Sequence, residues 1–156
     1  MRISAGPAVL RRIILISAAV FVFLAVSVLL ARFLSTENTE RDSDLALIQA
    51  EARGDVAGML AQLSGCRASP SCVALVRANA GNPRLRRAGS VKILSLKSPT
   101  AYSLTGASGK TRLAWTVIGK LPVVQCVQVR RTGNFFNGIT INLLSLSAPI
   151  PNEADC

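Results

Sequence analysis

Between Arg12 and Arg32 the chain runs IILISAAVFVFLAVSVLLA, nineteen residues without a charge. At about 1.5 Å per residue a helix of that length reaches roughly 28 Å, close to the ~30 Å hydrocarbon layer of a bilayer. Arg2, Arg11 and Arg12 precede the run, and the first acid is Glu37. Positive charge before a span holds that end in the cytoplasm, so the remaining chain is expected outside it. A cleaved signal peptide is the rival reading. Ala25-Val26-Ser27 has small residues at cleavage spacing, but VLL follows directly where a polar stretch is expected. No Cys ends the apolar run, which argues against a lipoprotein, and no Glu begins it, which argues against a pilin. The expected layout is a basic cytoplasmic N-terminus over 1–12 and a retained single-pass anchor over 13–34. A polar linker over 35–44 (STENTERDSD) and an extracytoplasmic domain over 45–156 complete it.

All four cysteines, Cys66, Cys72, Cys126 and Cys156, lie after the span. An even count outside the cytoplasm reads as two disulfides, of which three connectivities exist. Spacing favours Cys66 with Cys72 across CRASPSC, and Cys126 with Cys156 tying the C-terminus to a strand. The chain has no His and no paired zinc-knuckle spacing, so a metal site is not expected.

Thr39 and Asp42 have capping-box spacing and predict the start of a helix. Leu45, Ile48, Ala52, Val56, Met59, Leu60 and Leu63 then form one stripe at three- and four-residue steps, with Gly54 and Gly58 able to bend or divide it. Ser69-Pro70 begins a second, short helix that Gly81 and Pro83 end. After Gly89 the pattern turns to β-branched runs: 91–96, 100–104 (TAYSL), 112–118, 123–129 and 139–147. The class is α+β: two helices packed on a four- to five-stranded antiparallel sheet.

This order resembles the cone-shaped nuclear-transport-factor-two-like fold, which overlaps cystatin-like folds. The helix LIQAEARGDVAGMLAQL, the short second helix and the meander ending in ITINLLSLSAPI carry the resemblance, over roughly 44–150. One membrane helix before such a cone is similar to accessory proteins of bacterial envelope transport and secretion systems. The resemblance implies an accessory role.

LTGASGKT (104–111) ends like a phosphate-binding loop. That loop needs Gly where Leu104 stands and a helix where strand-like RLAWTVI follows. No acid lies between Asp55 and Glu153 to hold magnesium, so LTGASGKT is expected to be a hairpin turn. Without His neither a Ser-His-Asp nor a Cys-His arrangement exists. Glu51 and Asp55, four apart, are the nearest thing to an acid pair and are expected on a solvated helix face beside Arg53. Arg53-Gly54-Asp55 interrupts a helical pattern and is expected to be a chance tripeptide. No catalytic residue and no cofactor are expected, and the chain reads as a non-enzyme.

Twelve Arg or Lys and no acid fall between Val56 and Asn152. Arg84, Arg86, Arg87, Arg130 and Arg131 are the densest and are expected to form or flank a patch for an anionic lipid, a wall polymer or an acidic protein. Only 4% of residues are aromatic and no nucleic-acid-reading motif occurs, which argues against nucleic acid. Tyr102, Trp115, Phe135 and Phe136 read as core or rim packing. In an open cone they would line a pocket for a small apolar ligand, the alternative function. Oligomeric state is not legible.

Overall fold

The computed structural model describes residues 7–99, 105–134, 138–152 and 154–156. It comprises two compact units, the chain up to Thr36 and the chain from Glu37. Helix α1 spans Pro7–Arg53. Within it Val9–Ala31 is apolar enough to cross a membrane, with mean hydropathy 3.0 and none of its window buried. The capping box at Thr39 and Asp42 starts nothing, because α1 passes through both residues. The stretch 35–44 is helical, and Glu40 and Asp44 within it are buried, so it is not the extended polar linker its composition suggests.

In the second unit α1 is followed by α2 (Val56–Gln62), a 3-10 turn (Cys66–Ala68) and α3 (Pro70–Gly81). Strands β1 (Val91–Lys97), β2 (Thr105–Val117), β3 (Val123–Asn134) and β4 (Gly138–Leu146) form one antiparallel sheet in the order β1-β2-β3-β4. The class is α+β, as expected; TAYSL lies outside the described residues.

Arg53-Gly54-Asp55 is the joint between α1 and α2. Gly54 takes a left-handed φ of 71°, its N–H bonds Glu51 O at 2.8 Å, and Asp55 N–H bonds Ala50 O at 2.9 Å. This paired closure satisfies the last carbonyls of α1 and needs glycine at the turning position. Asp55 then caps α2, its Oδ1 accepting from Gly58 N–H at 2.9 Å. Ser69 caps α3 with Pro70 in its first turn, as the sequence predicts.

Leu113, Trp115 and Val117 of β2 and Val123, Val127 and Val129 of β3 share the inner sheet face. They pack with Leu47, Ile48, Met59, Leu63 and Val76 of the helices in one core. LTGASGKT is not a hairpin turn. Thr105–Thr111 is the first half of β2, with Ala107 opposite Arg131 and Lys110 opposite Gln128. Gly106 suits the close approach of the neighbouring strand, since a Cβ there would stand 3.2 Å from Arg131 O.

The tail after β4 pairs further along β3, with Ser147 N–H to Cys126 O and Ile150 N–H to Val124 O, each 2.8 Å. It then reaches Arg112, which donates from Nε to Ala154 O at 2.9 Å and from a second nitrogen to Asn152 O. Cys126–Cys156 closes the same tail and Cys66–Cys72 the α2–α3 junction, with Cα atoms 5.7 and 5.3 Å apart. The two bridges span 30 and 6 residues. Closing the longer loop removes more unfolded-chain entropy, roughly 3–4 against about 2 kcal/mol. Replacing Cys126 and Cys156 by Ala should therefore lower the denaturant midpoint more than replacing Cys66 and Cys72. The reverse order would contradict this assignment.

Candidate functional site

The inward stripe of the second half of α1 is partly acidic. Glu40, Asp44, Leu47, Ile48 and Glu51 recur at helix spacing and are each 0% exposed. Thr111 and Arg131 come down to Glu40 from the sheet: Thr111 Oγ1 donates to Oε1 at 2.9 Å, and an Arg131 terminal nitrogen pairs with Oε2. Asp44 sits one turn further on. Neither of its oxygens has a hydrogen-bond partner among the described residues. Burial, and then the charge of Glu40, raise its pKa to about 8.

Glu51, two further turns along, ends a chain of contacts that starts near the surface. The Arg87 guanidinium lies 5.4 Å from the Trp115 ring centroid. Trp115 Nε1–H donates to Gln125 Oε1 at 2.7 Å, and Gln125 Nε2 donates to Glu51 Oε1 at 2.8 Å and to Ser147 O at 3.1 Å. Burial raises the Glu51 pKa to about 7, with the Gln125 and Asn79 amides pulling it partly back. The three acids have no exposed surface for a substrate. What the arrangement can do is hold a charge pair and hold protons.

Glu51 and Asp55 therefore do not share a solvated face: Glu51 is interior and Asp55 is a cap. Glu40, Asp44 and Gln125 do not stand out in the sequence, because acids and amides do not score in an apolar stripe. The signal for Glu40 and Asp44 is the spacing 40-44-47-51, which continues the helix stripe upstream of Leu45; Gln125 has none.

The five arginines do not form a single patch. Arg131 is buried, 3% exposed, because Glu40 draws it inward. Arg87 is half-buried, donating from Nε to Arg84 O at 2.9 Å and from a terminal nitrogen to Leu121 O. Leu121 lies just before β3, whereas Arg130 is seven residues into it from Val123, about 23 Å at strand rise. Arg84, Arg86 and Arg130 are exposed. Arg130 shares the outer sheet face with Lys92, Lys97, Lys110 and Arg112, and Lys97 stands directly opposite Arg112. None of the four strands contains an acid. Trp115 is fully buried in the core, and Tyr102, Phe135 and Phe136 lie outside the described residues.

At the α1–α2 joint an open cleft of about 640 Å³ is walled by Gln49, Arg53, Arg86, Arg87 and Ser90. Comparison with family models, with curated proteins and with solved structures finds no match for the chain.

Proposed function

We propose that the chain is a single-pass membrane protein whose disulfide-closed α+β unit lies outside the cytoplasm and serves as a non-enzymatic interaction domain of a bacterial envelope system. The observation that carries this reading is the pairing of one uninterrupted apolar helix segment, Val9–Ala31, with a following unit closed by two disulfides. Disulfides of this kind persist outside the reducing cytoplasm. A retained anchor is supported by VLL directly after Ala25-Val26-Ser27, where a cleavage site is followed by polar residues. The non-enzymatic part is supported by carboxylates that are interior rather than in a cleft. The four strands, with basic residues on the outer face and no acid among their residues, suit an anionic partner.

Ser108 is exposed on that outer face, opposite Arg130. A Ser108→Cys variant should react with a membrane-impermeant maleimide in intact cells. Reaction only after lysis would reverse the topology, and a mature chain beginning near Val28 would remove the anchor. A photo-crosslinker at Arg130 should give discrete adducts in cells; diffuse background alone would end the interaction reading.

A further inference from the structure

We propose that the cleft at the α1–α2 joint is a binding site for a phosphoryl group, held by Arg53, Arg86 and Arg87. Three features of the fold bring these side chains together. Arg53 occupies the last position of α1, so the helix end delivers it to the joint. Arg86 crosses the joint itself: a Cβ on Gly54 would stand 3.0 Å from its Nε, so the missing side chain makes the room it occupies. Arg87 is tied to the same end of α1 through its backbone, its N–H bonding Ala52 O at 2.9 Å.

The three guanidinium groups are not equivalent. Arg87 is braced by the Trp115 ring and by the carbonyls of Arg84 and Leu121, so it supplies a fixed positive charge at the back of the cleft. Arg53 and Arg86 are exposed, and their side chains have no ion-pair or hydrogen-bond partner among the described residues. Their planar forks are free to bind bidentately. Of the acids adjoining the joint in sequence, Glu51 is buried on Gln125, and Asp55 accepts from Gly58 N–H without lining the cleft. Three converging cations are neutralised better by a dianion than by a single carboxylate, which favours a phosphoryl group. The cleft, about 640 Å³, leaves room for whatever carries that group. The phosphoryl group can belong to a soluble phosphate ester or to a lipid headgroup. The site is part of the folded unit and does not depend on which side of a membrane that unit lies.

The test uses the full chain in zwitterionic nanodiscs, titrated with inorganic phosphate at constant ionic strength. The arginine side-chain Nε–Hε resonances report on binding. Arg53 and Arg86 should shift saturably at millimolar phosphate. Arg53→Ala and Arg86→Ala should each weaken the apparent affinity about tenfold, the scale of a lost charge-assisted hydrogen bond, and Arg86→Lys should weaken it less. Arg130→Ala, at the other end of β3, should change nothing. Repeating the titration in discs containing an anionic phospholipid separates the sources. A suppressed phosphate response assigns the site to a headgroup, and an unchanged one to a soluble phosphate. Absence of a saturable shift in zwitterionic discs, or equal weakening by Arg130→Ala, overturns the site.

Discussion

The folded unit should be more stable at pH 5 than at pH 8, losing stability as the pH rises through neutrality. Asp44 and Glu51 carry pKa values of about 8 and about 7 in the fold, against 3.8 and 4.5 as ordinary carboxyls. Above pH 4 to 5 the unfolded chain releases these protons while the folded chain keeps them. Stability contributed by the raised values is thus complete below the ordinary range and is lost progressively until the folded-state values are passed. Each group supplies a slope of up to about 1.4 kcal/mol per pH unit within its window, so the fall between pH 5 and 8 should reach a few kcal/mol. Thermal unfolding of the full chain in detergent at pH 5, 6.5 and 8 measures it. Asp44→Asn should remove the larger share of the slope, and adding Glu51→Gln should leave the midpoint nearly flat over this range. A wild-type midpoint at pH 8 equal to that at pH 5 would show that these carboxyls are not the buried, protonated groups described above.

Breaking the Glu40–Arg131 pair should cost more than any single surface change. Arg131→Ala removes the positive partner of a carboxylate with no solvent exposure, one turn from a second acid. An uncompensated buried charge typically costs about 3–5 kcal/mol. Replacing both members with apolar residues, Glu40→Leu with Arg131→Met, should recover most of that loss, because buried pairs barely repay their desolvation. Denaturant midpoints of Glu40→Leu, Arg131→Met and the double variant form a cycle whose coupling reads the pair directly. Additive losses would mean that the two groups do not interact. Thr111→Val is the gentler probe, since it takes one 2.9 Å hydrogen bond from Glu40 and leaves the charge pair in place.

Much of the architecture was legible because it rests on local chemistry. Ser69-Pro70 starts α3 by a cap and a ring-fixed φ, and four of the five β-branched runs fall in strands in chain order. The cysteine spacings favoured the pairing that the structure contains. The acidic stripe was illegible for a tertiary reason. Glu40 and Asp44 sit at apolar positions of the helix, and only Thr111 and Arg131, brought in from β2 and β3, make burying Glu40 tolerable. Arg131 was read as surface for the same cause, since in sequence it is indistinguishable from Arg130 beside it. On a strand, neighbours point to opposite faces, and that alternation alone separates them. LTGASGKT failed differently. Its small residues carry turn propensity, and pairing along β3 overrides it.

The sheet order also bears on the sequence in which the molecule assembles. Every strand pairs with its immediate neighbour in the chain, so the meander can zip up one short loop at a time. The contact between Glu40 and Arg131 spans 91 residues, and closing so long a loop is entropically slow until the sheet has shortened it. The N-terminal part of the unit is thus expected to wait, its acids ionised and hydrated, until β3 is in place. Docking of the α1 stripe would then be a late, committing step, accompanied by proton uptake at Asp44, and a chain stopped short of Arg131 would leave Glu40 without its positive partner.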